Sequence, residues 1–388
     1  MRPLLVIDSF KGCLSSQDAE EAARQALLRC GTDAKDITSL PVSDGGEGFC
    51  NIVTSRLGGE MVSVRCQDPL GRPLTAEYGL VDHGRGAIIE SASAIGLSLI
   101  EPNMRNPLVL SSYGLGQMIA DAIRRGVWDI YVGLGGTATC DGGVGMLLAL
   151  GVNFWCGGQL RDDSPVVLSD ISRIDASELN VRDVRFHCLC DTAAPFYGPE
   201  GAACVFGPQK GLPPERIAAV DAWMKRLNSA VFKATGRNMQ LMKGSGAAGG
   251  IGGAMRAFLG ADMLGGAAGV LSIVGFGRHL REAAVAGRPY DLIITGEGRL
   301  DSQTATGKLP WEVLQQTRAV EKEIPDFRPR VVCLAGKIDR WTYGGFDEVI
   351  QITPESSFDE SGAPSVEALA RAGENLTAAL SAFLNTSS

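Results

Sequence analysis

Short apolar runs that stop at an acid or a glycine turn open this chain and return near its end, with a different pattern between them. Residues 3–8 end in Asp8, and residues 37–42 form a second strand ahead of Asp44. Between these, residues 16–29 place Ala19, Ala22, Ala23, Ala26 and Leu27 on one helical face, with Ser15 or Ser16 as the cap. A further helix is expected from about 47 to 57. Late in the chain the runs 291–295, 330–335 and 347–352 repeat the pattern, and an alanine-rich helix is expected over 365–384. Strands alternating with helices predict a parallel sheet, and ligands of such sheets bind at the carboxyl ends of the strands. In the middle, residues 60–66, 73–81 and 86–91 read as an antiparallel meander, with Asp82-His83-Gly84 as a hairpin turn. The expected fold is α/β: a discontinuous, doubly wound domain of residues 1–58 and 281–388, carrying an inserted mixed α/β domain of residues 59–280.

Composition narrows the function. The 388 residues include 50 glycines, nearly double the usual share, clustered without a period, which points to many functional turns. A net charge of −8 with no basic stripe argues against a nucleic-acid partner. No apolar run reaches the length of a membrane span, and the N-terminal run is too short for a signal peptide. Ten scattered cysteines and three separated histidines, His83, His187 and His279, give no zinc spacing and fit reduced thiols in a cytoplasmic enzyme.

Acids and glycines coincide at the turns. Asp44-Gly45-Gly46-Glu47-Gly48, Asp141-Gly142-Gly143 and Gly296-Glu297-Gly298-Arg299-Leu300-Asp301 lie far apart in sequence. Glycine lets backbone N–H groups approach a ligand, and carboxylates beside such turns can hold Mg²⁺ with phosphate oxygens. Asp8-Ser9-Phe10-Lys11-Gly12 sets an acid and a cation after the first strand. The Gly133–Gly145 loop follows a strand at 128–132 and precedes a helix near 143–150. Its amides and the Thr137 and Thr139 hydroxyls could cradle an anion at that helix N-terminus, or the glycines could serve tight packing. A strand over 184–190 runs into Asp191, and Lys210 sits in a glycine-flanked turn. Gly244-x-Gly246-x-x-Gly249 fits a dinucleotide pattern on paper, but no strand precedes it and no acid follows at the required distance. A loop lining substrate or nucleotide fits better, with a hinge as the alternative. After the strand at 291–295, a turn beginning at Gly296 leads to Gly307-Lys308, which is not a Walker A motif because Ser302 stands where its first glycine belongs.

The order Asp8-Ser-Phe-Lys-Gly, Asp44-Gly-Gly-Glu-Gly, Asn106-Pro, Ser112-Tyr-Gly-x-Gly116, Gly135-Gly-x-Ala-Thr-x-Asp-Gly-Gly143, Cys190-Asp191, Phe206-Gly-Pro-Gln-Lys-Gly211, Gly246-Ala-Ala-Gly-Gly250, Thr295-Gly-Glu-Gly-Arg299 and Gly307-Lys308 resembles that of the bacterial class I glycerate kinases, over nearly the whole chain. Two places depart from the family pattern: Cys140 replaces an asparagine, and Lys337-Ile-Asp-Arg-Trp-Thr replaces a run of small residues.

The resemblance implies ATP-dependent, Mg²⁺-requiring phosphorylation of (R)-glycerate on its 2-hydroxyl, in glyoxylate, glucarate or galactarate breakdown. It also implies a Rossmann-like domain with an inserted α/β domain, the active site being expected in the cleft between them. On this reading Asp191 is the base, with Asp8 next in line, and Lys11 and Lys210 neutralise carboxylate or phosphate. Asp44 and Asp301 hold Mg²⁺. Substrate or nucleotide falls to Ser9, Gly45, Gly46, Glu47, Gly135, Gly136, Thr137, Thr139, Asp141, Gly142, Gly246, Gly249, Gly296, Glu297, Arg299 and Lys308. The alternatives are attack by the 3-hydroxyl, another small hydroxy acid, or a sugar-acid sensor that does not turn over ATP. A hydrolase is disfavoured, since no Gly-x-Ser-x-Gly elbow occurs. Oligomeric state is open, a homodimer included.

Overall fold

The computed structural model describes all residues except 11–12, 43–47, 162–170, 303, 340–343, 359–363 and 387–388. Among the described residues the strands are, in chain order, β1 (Pro3–Ile7), β2 (Thr38–Ser39), β3 (Glu60–Gln67), β4 (Pro73–Val81), β5 (Gly86–Glu90), β6 (Asp129–Gly133), β7 (Asn153–Cys156), β8 (Gln159–Arg161), β9 (Ile171–Asp175), β10 (Arg185–Leu189), β11 (Asp262–Leu264), β12 (Leu292–Leu300), β13 (Arg330–Ile338) and β14 (Glu348–Gln351). The chain divides into two compact units, one of residues 1–44 and 266–388 and the other of residues 45–265.

The first unit is built on a five-stranded sheet in the order β14-β13-β12-β1-β2, with every neighbouring pair parallel. From β1 the chain moves outward to β2, and from β12 it moves outward the other way, so the order reverses between β1 and β12. Strand alternation sends Leu5, Ile7, Leu292, Ile294, Val332 and Leu334 to one face. There they pack on the apolar stripe of helix Ser16–Arg29 and on Leu376, Leu380 and Leu384 of the terminal helix Ala372–Thr386. Ser15 caps the first helix by accepting the Asp18 N–H at 3.1 Å. Helix Leu309–Glu323 packs on β12 and β1, and also meets helices Gly266–Ile273 and Phe276–Val285.

The second unit has a six-stranded mixed sheet, β11-β10-β6-β5-β4-β3. β5, β6, β10 and β11 are parallel, while β3, β4 and β5 form the antiparallel meander expected from the sequence. Its turn holds Asp82 and His83 at φ 50° and 57°. A separate three-stranded sheet, β8-β7-β9, was not expected from the sequence. Helix Phe49–Arg56, read from the sequence as part of the first domain, packs on β3, β4 and β5. Conversely, helices Gly266–Ile273 and Phe276–Val285 belong to the first unit. The ten cysteines are free thiols, and no helix among the described residues is long and apolar enough to cross a membrane.

One element differs in kind from its expectation. Gly296-Glu297-Gly298-Arg299 was expected as a turn after a strand ending at residue 295, yet β12 runs on to Leu300 and stays paired with β13 as far as Leu300↔Ile338. The glycines there serve strand-to-strand proximity: a Cβ on Gly336 of β13 would press on the carbonyl oxygen of Gly298.

Candidate functional site

Each sheet gathers chemistry at its carboxyl edge. In the first unit Asp8 follows β1 at the point of reversal, and its N–H donates to the Gly296 carbonyl at 3.0 Å. Ligands of doubly wound sheets bind at such reversals. The Asp8 carboxylate is buried and accepts the Ser9 N–H at 2.7 Å. On the extended end of β12, Glu297 is only 6% exposed. It accepts the Thr304 hydroxyl at 2.6 Å and pairs with Lys308 Nζ at 3.0 Å. Burial raises its carboxyl above the ordinary range, against the opposing pull of Thr304 and Lys308. Lys308 lies 3.5 Å from Asp301, and Arg299 lies 3.9 Å from Asp301 and 2.7 Å from Asp339. Four residues singled out from the sequence, Glu297, Arg299, Asp301 and Lys308, thus form one ion-pair network.

Glu20 went unremarked in the sequence. It sits on the first helix, 4% exposed, and burial raises its carboxyl to about 8, with the Ile7 backbone and the Ser39 side chain beside it. Its Oε1 has no hydrogen-bond partner among the described residues.

In the second unit the parallel register Glu90↔Gly133↔Leu189 brings the ends of β5, β6 and β10 level. Gly133 opens the glycine-rich loop, and Asp191 stands exposed just beyond β10. Gly135 and Gly136 are exposed, whereas Thr137, Thr139, Asp141 and Gly142 are buried. The helix that follows, Val144–Ala149, is short, and its first amides are already taken. Asp141 accepts Gly143 N–H at 3.0 Å, Gly145 N–H at 3.2 Å, Ser112 N–H at 2.8 Å and the Ser112 hydroxyl at 2.7 Å. The expected anion site at this helix terminus is therefore closed by the chain's own carboxylate, and Gly135 and Gly136 are the part of the loop that solvent reaches.

Lys210 enters from inside. It is 4% exposed and donates to the Thr137 hydroxyl at 3.0 Å and to the Thr139 carbonyl at 2.8 Å. Burial lowers its ammonium to about 8, opposed by Cys140 and Asp141. Cys140 is buried beside it, its thiol pushed up to about 11 by burial. The Gly249 carbonyl (φ 69°) accepts the Gly142 N–H at 3.0 Å, and a Cβ on Gly249 would run into the Thr139 carbonyl; Gly246 is held as closely against Pro195. Both glycines, expected to line a ligand, are accounted for by one loop packing on another.

Glu90 was missed, although it ends a strand as Asp8 does. Its carboxylate accepts Gly48 N–H at 3.2 Å and Cys50 N–H at 3.4 Å, fixing the start of helix Phe49–Arg56. Lys11, Asp44, Gly45, Gly46 and Glu47 lie outside the described residues.

A sequence model described as the Glycerate kinase family matches residues 3–385. The chain is 36% identical over 367 residues to a protein named glycerate kinase from Bacillus subtilis, covering 91% of each. It is 32% identical over 384 residues to one named glycerate 2-kinase from Escherichia coli K12, covering 98% of each. A crystal structure from Salmonella typhimurium LT2, carrying a provisional glycerate kinase 2 name, superposes with a TM-score of 0.82 at 33% identity, covering 100% of this chain and 98% of that one.

Proposed function

We propose that this chain, which belongs to the glycerate kinase family, transfers the γ-phosphoryl group of ATP to the 2-hydroxyl of (R)-glycerate, giving 2-phosphoglycerate and ADP. The chain is a phosphotransferase of that family. The observation that carries the finer reading is the match along almost the entire length to a relative named glycerate 2-kinase. The proposed setting is the breakdown of glyoxylate, glucarate or galactarate.

Phosphoryl transfer asks a protein mainly for alignment and charge neutralisation. In the proposed step the 2-oxygen of glycerate attacks the γ-phosphorus and the bond to the β–γ bridging oxygen breaks. ADP leaves with that electron pair, and the hydroxyl proton passes to Asp191. Exposure at the end of β10 supports the assignment of Asp191, since a base must reach its substrate; Asp8 is the second candidate. Lys11 is proposed to neutralise the substrate carboxylate. Arg299 and Lys308 are proposed to meet the triphosphate by exchanging carboxylate partners for phosphate oxygens. Ser9 and the exposed Gly135 and Gly136 are proposed to complete the contacts. Lys308 is set among the Glu297 and Asp301 carboxylates and the Arg299 carbonyl, oxygen ligands of the type that Mg²⁺ takes. Asp301, with Asp44, would hold the ion, which would supply neutralising charge on the phosphates when bound.

The test is an assay with ATP, Mg²⁺ and (R)-glycerate, coupled through enolase and pyruvate kinase with no phosphoglycerate mutase. Immediate pyruvate is the expected result. Pyruvate that appears only once mutase is added would mean attack by the 3-hydroxyl, and no ADP in either case would remove the kinase reading for this substrate.

A further inference from the structure

We infer that Lys210 is a positioning residue: it sets the shape of the Gly133–Gly145 loop through Thr137 and Thr139 and does not itself touch the transferred phosphate. The inference rests on the kinase reading for what the loop does, but not for how the loop is held. A lysine that neutralises a ligand keeps its head group where the ligand arrives. Lys210 lies inside the protein, and its ammonium is spent on a hydroxyl and a main-chain carbonyl two residues apart in one loop. Two hydrogen bonds from one nitrogen to residues 137 and 139 fix the path of the chain between them.

The surroundings bear this out. The loop is held on its far side by Asp141, whose two oxygens accept four hydrogen bonds, so a buried acid and a buried base bracket it. Ala138 between the two threonines donates its N–H to the Ile95 carbonyl at 2.8 Å, and Gly136 accepts the Leu97 N–H at 2.8 Å, pinning the loop to the segment after β5. Thr139 is fully buried, so that side chain does not face solvent either. What remains open is Gly135-Gly136, directly before the pinned stretch. Lys210 therefore acts on that exposed pair at one remove. A positive charge closed in behind the loop also raises the potential felt by an anion in front of it, because a low-dielectric surround screens little.

The test is a cycle of Lys210→Met, Thr137→Val and the double variant, read in two ways. Hydrogen–deuterium exchange of peptides spanning residues 133–145 needs no substrate. Lys210→Met and Thr137→Val should each accelerate it, on the order of tenfold or more for Lys210→Met, in a protein that still melts cooperatively. Kinetics form the second readout. If Lys210 works through Thr137, the two effects on kcat/KM are coupled, and Thr137→Val should cost about tenfold in the wild-type background but less than about twofold in Lys210→Met. Independent, multiplicative losses with unchanged exchange of the loop would overturn the inference and return Lys210 to direct contact with ligand. If Lys210→Met fails to fold, Thr137→Val alone still decides, since unchanged loop exchange in that variant excludes the link. A chain without activity on glycerate would sink the kinase reading while leaving the exchange result to judge Lys210.

Discussion

The two carboxyl edges solve the presentation of charge in opposite ways. The first unit's sheet reverses its order between β1 and β12 and displays side chains: Glu297, Arg299, Asp301, Lys308 and Asp339 in a network with half-exposed members. The second unit's sheet runs from β5 through β6 and β10 to β11 without a reversal, and it displays backbone: an exposed glycine pair whose supporting charges, Lys210 and Asp141, are buried. An open crevice at a reversal can accept long side chains that exchange partners when a ligand comes. An edge without one needs a loop, and a glycine-rich loop must be held from within. Ion pairs near solvent are worth little to stability, whereas breaking a buried charged network costs several kcal/mol. The same contrast should therefore separate variants that lose activity from variants that lose the fold.

The largest effect expected lies in chemistry. Asp191→Asn should cut turnover by ~10²–10⁴-fold, the usual contribution of a general base; retention of more than about a tenth of wild-type turnover would transfer the role to another acid. Asp141→Ala comes next, with an expected loss of about 3–5 kcal/mol in unfolding free energy, because four donors lose a buried acceptor. A urea midpoint barely moved by that change would break the comparison, since the second edge would then not depend on its buried acid.

The pH dependence of stability sharpens the contrast, because Lys210 of the second unit and Glu20 of the first are buried groups of opposite charge. An unfolded lysine titrates near 10.4, and Lys210 in the fold titrates at about 8. Between those values the unfolded chain keeps the proton that the folded chain has lost, so stability rises with pH. Wild type should thus gain up to about 3 kcal/mol over Lys210→Met between pH 8 and pH 10.4. Glu20 reverses the sign. Its folded value of about 8 lies above the unfolded value near 4.5, so stability falls as pH rises through that window. Denaturation of Glu20→Gln against wild type at pH 5 and pH 8 should show the variant gaining. Parallel pH curves in either comparison would mean that the group is not held as described. The smallest change is reserved for Arg299→Met: its pair with Asp339 is largely exposed, and the variant should stay within about 1 kcal/mol of wild type. Its kcat/KM for MgATP should nonetheless fall measurably if the first edge serves the triphosphate.

Local periodicity carried much of the fold into the sequence. The meander β3–β5, the capped helix Ser16–Arg29 and the strands ending near Asp8 and Asp191 are legible because apolar alternation and a serine cap act over a few residues. Glycine misled where its reason was distant. Gly296 reads as a turn residue, yet it allows β12 to lie close to β13, a strand more than 30 residues further on, as Gly336 does from the other side. Gly249 reads as ligand-lining, and only the fold shows the Thr139 carbonyl against it. Charges misled likewise: Asp141 and Lys210 look like solvent-facing groups until their burial is seen. Glu90 was within reach of the strand-end rule that picked out Asp8 and Asp191. Glu20 was not, since nothing local distinguishes one glutamate of an amphipathic helix from its neighbour Glu21.

The interrupted first unit has a consequence for how the chain is made. β1 leaves the ribosome long before its neighbour β12, which begins at Leu292, paired with Pro3. At translation speeds of about 5–20 residues per second, β1 waits roughly 15–60 s for that partner. During this interval residues 45–265 are already complete and, being contiguous, are free to form their own core. The Leu4-Leu5-Val6-Ile7 segment can meanwhile pair with β2 and pack on helix Ser16–Arg29, but its edge toward β12 stays open, a place for a chaperone's cover.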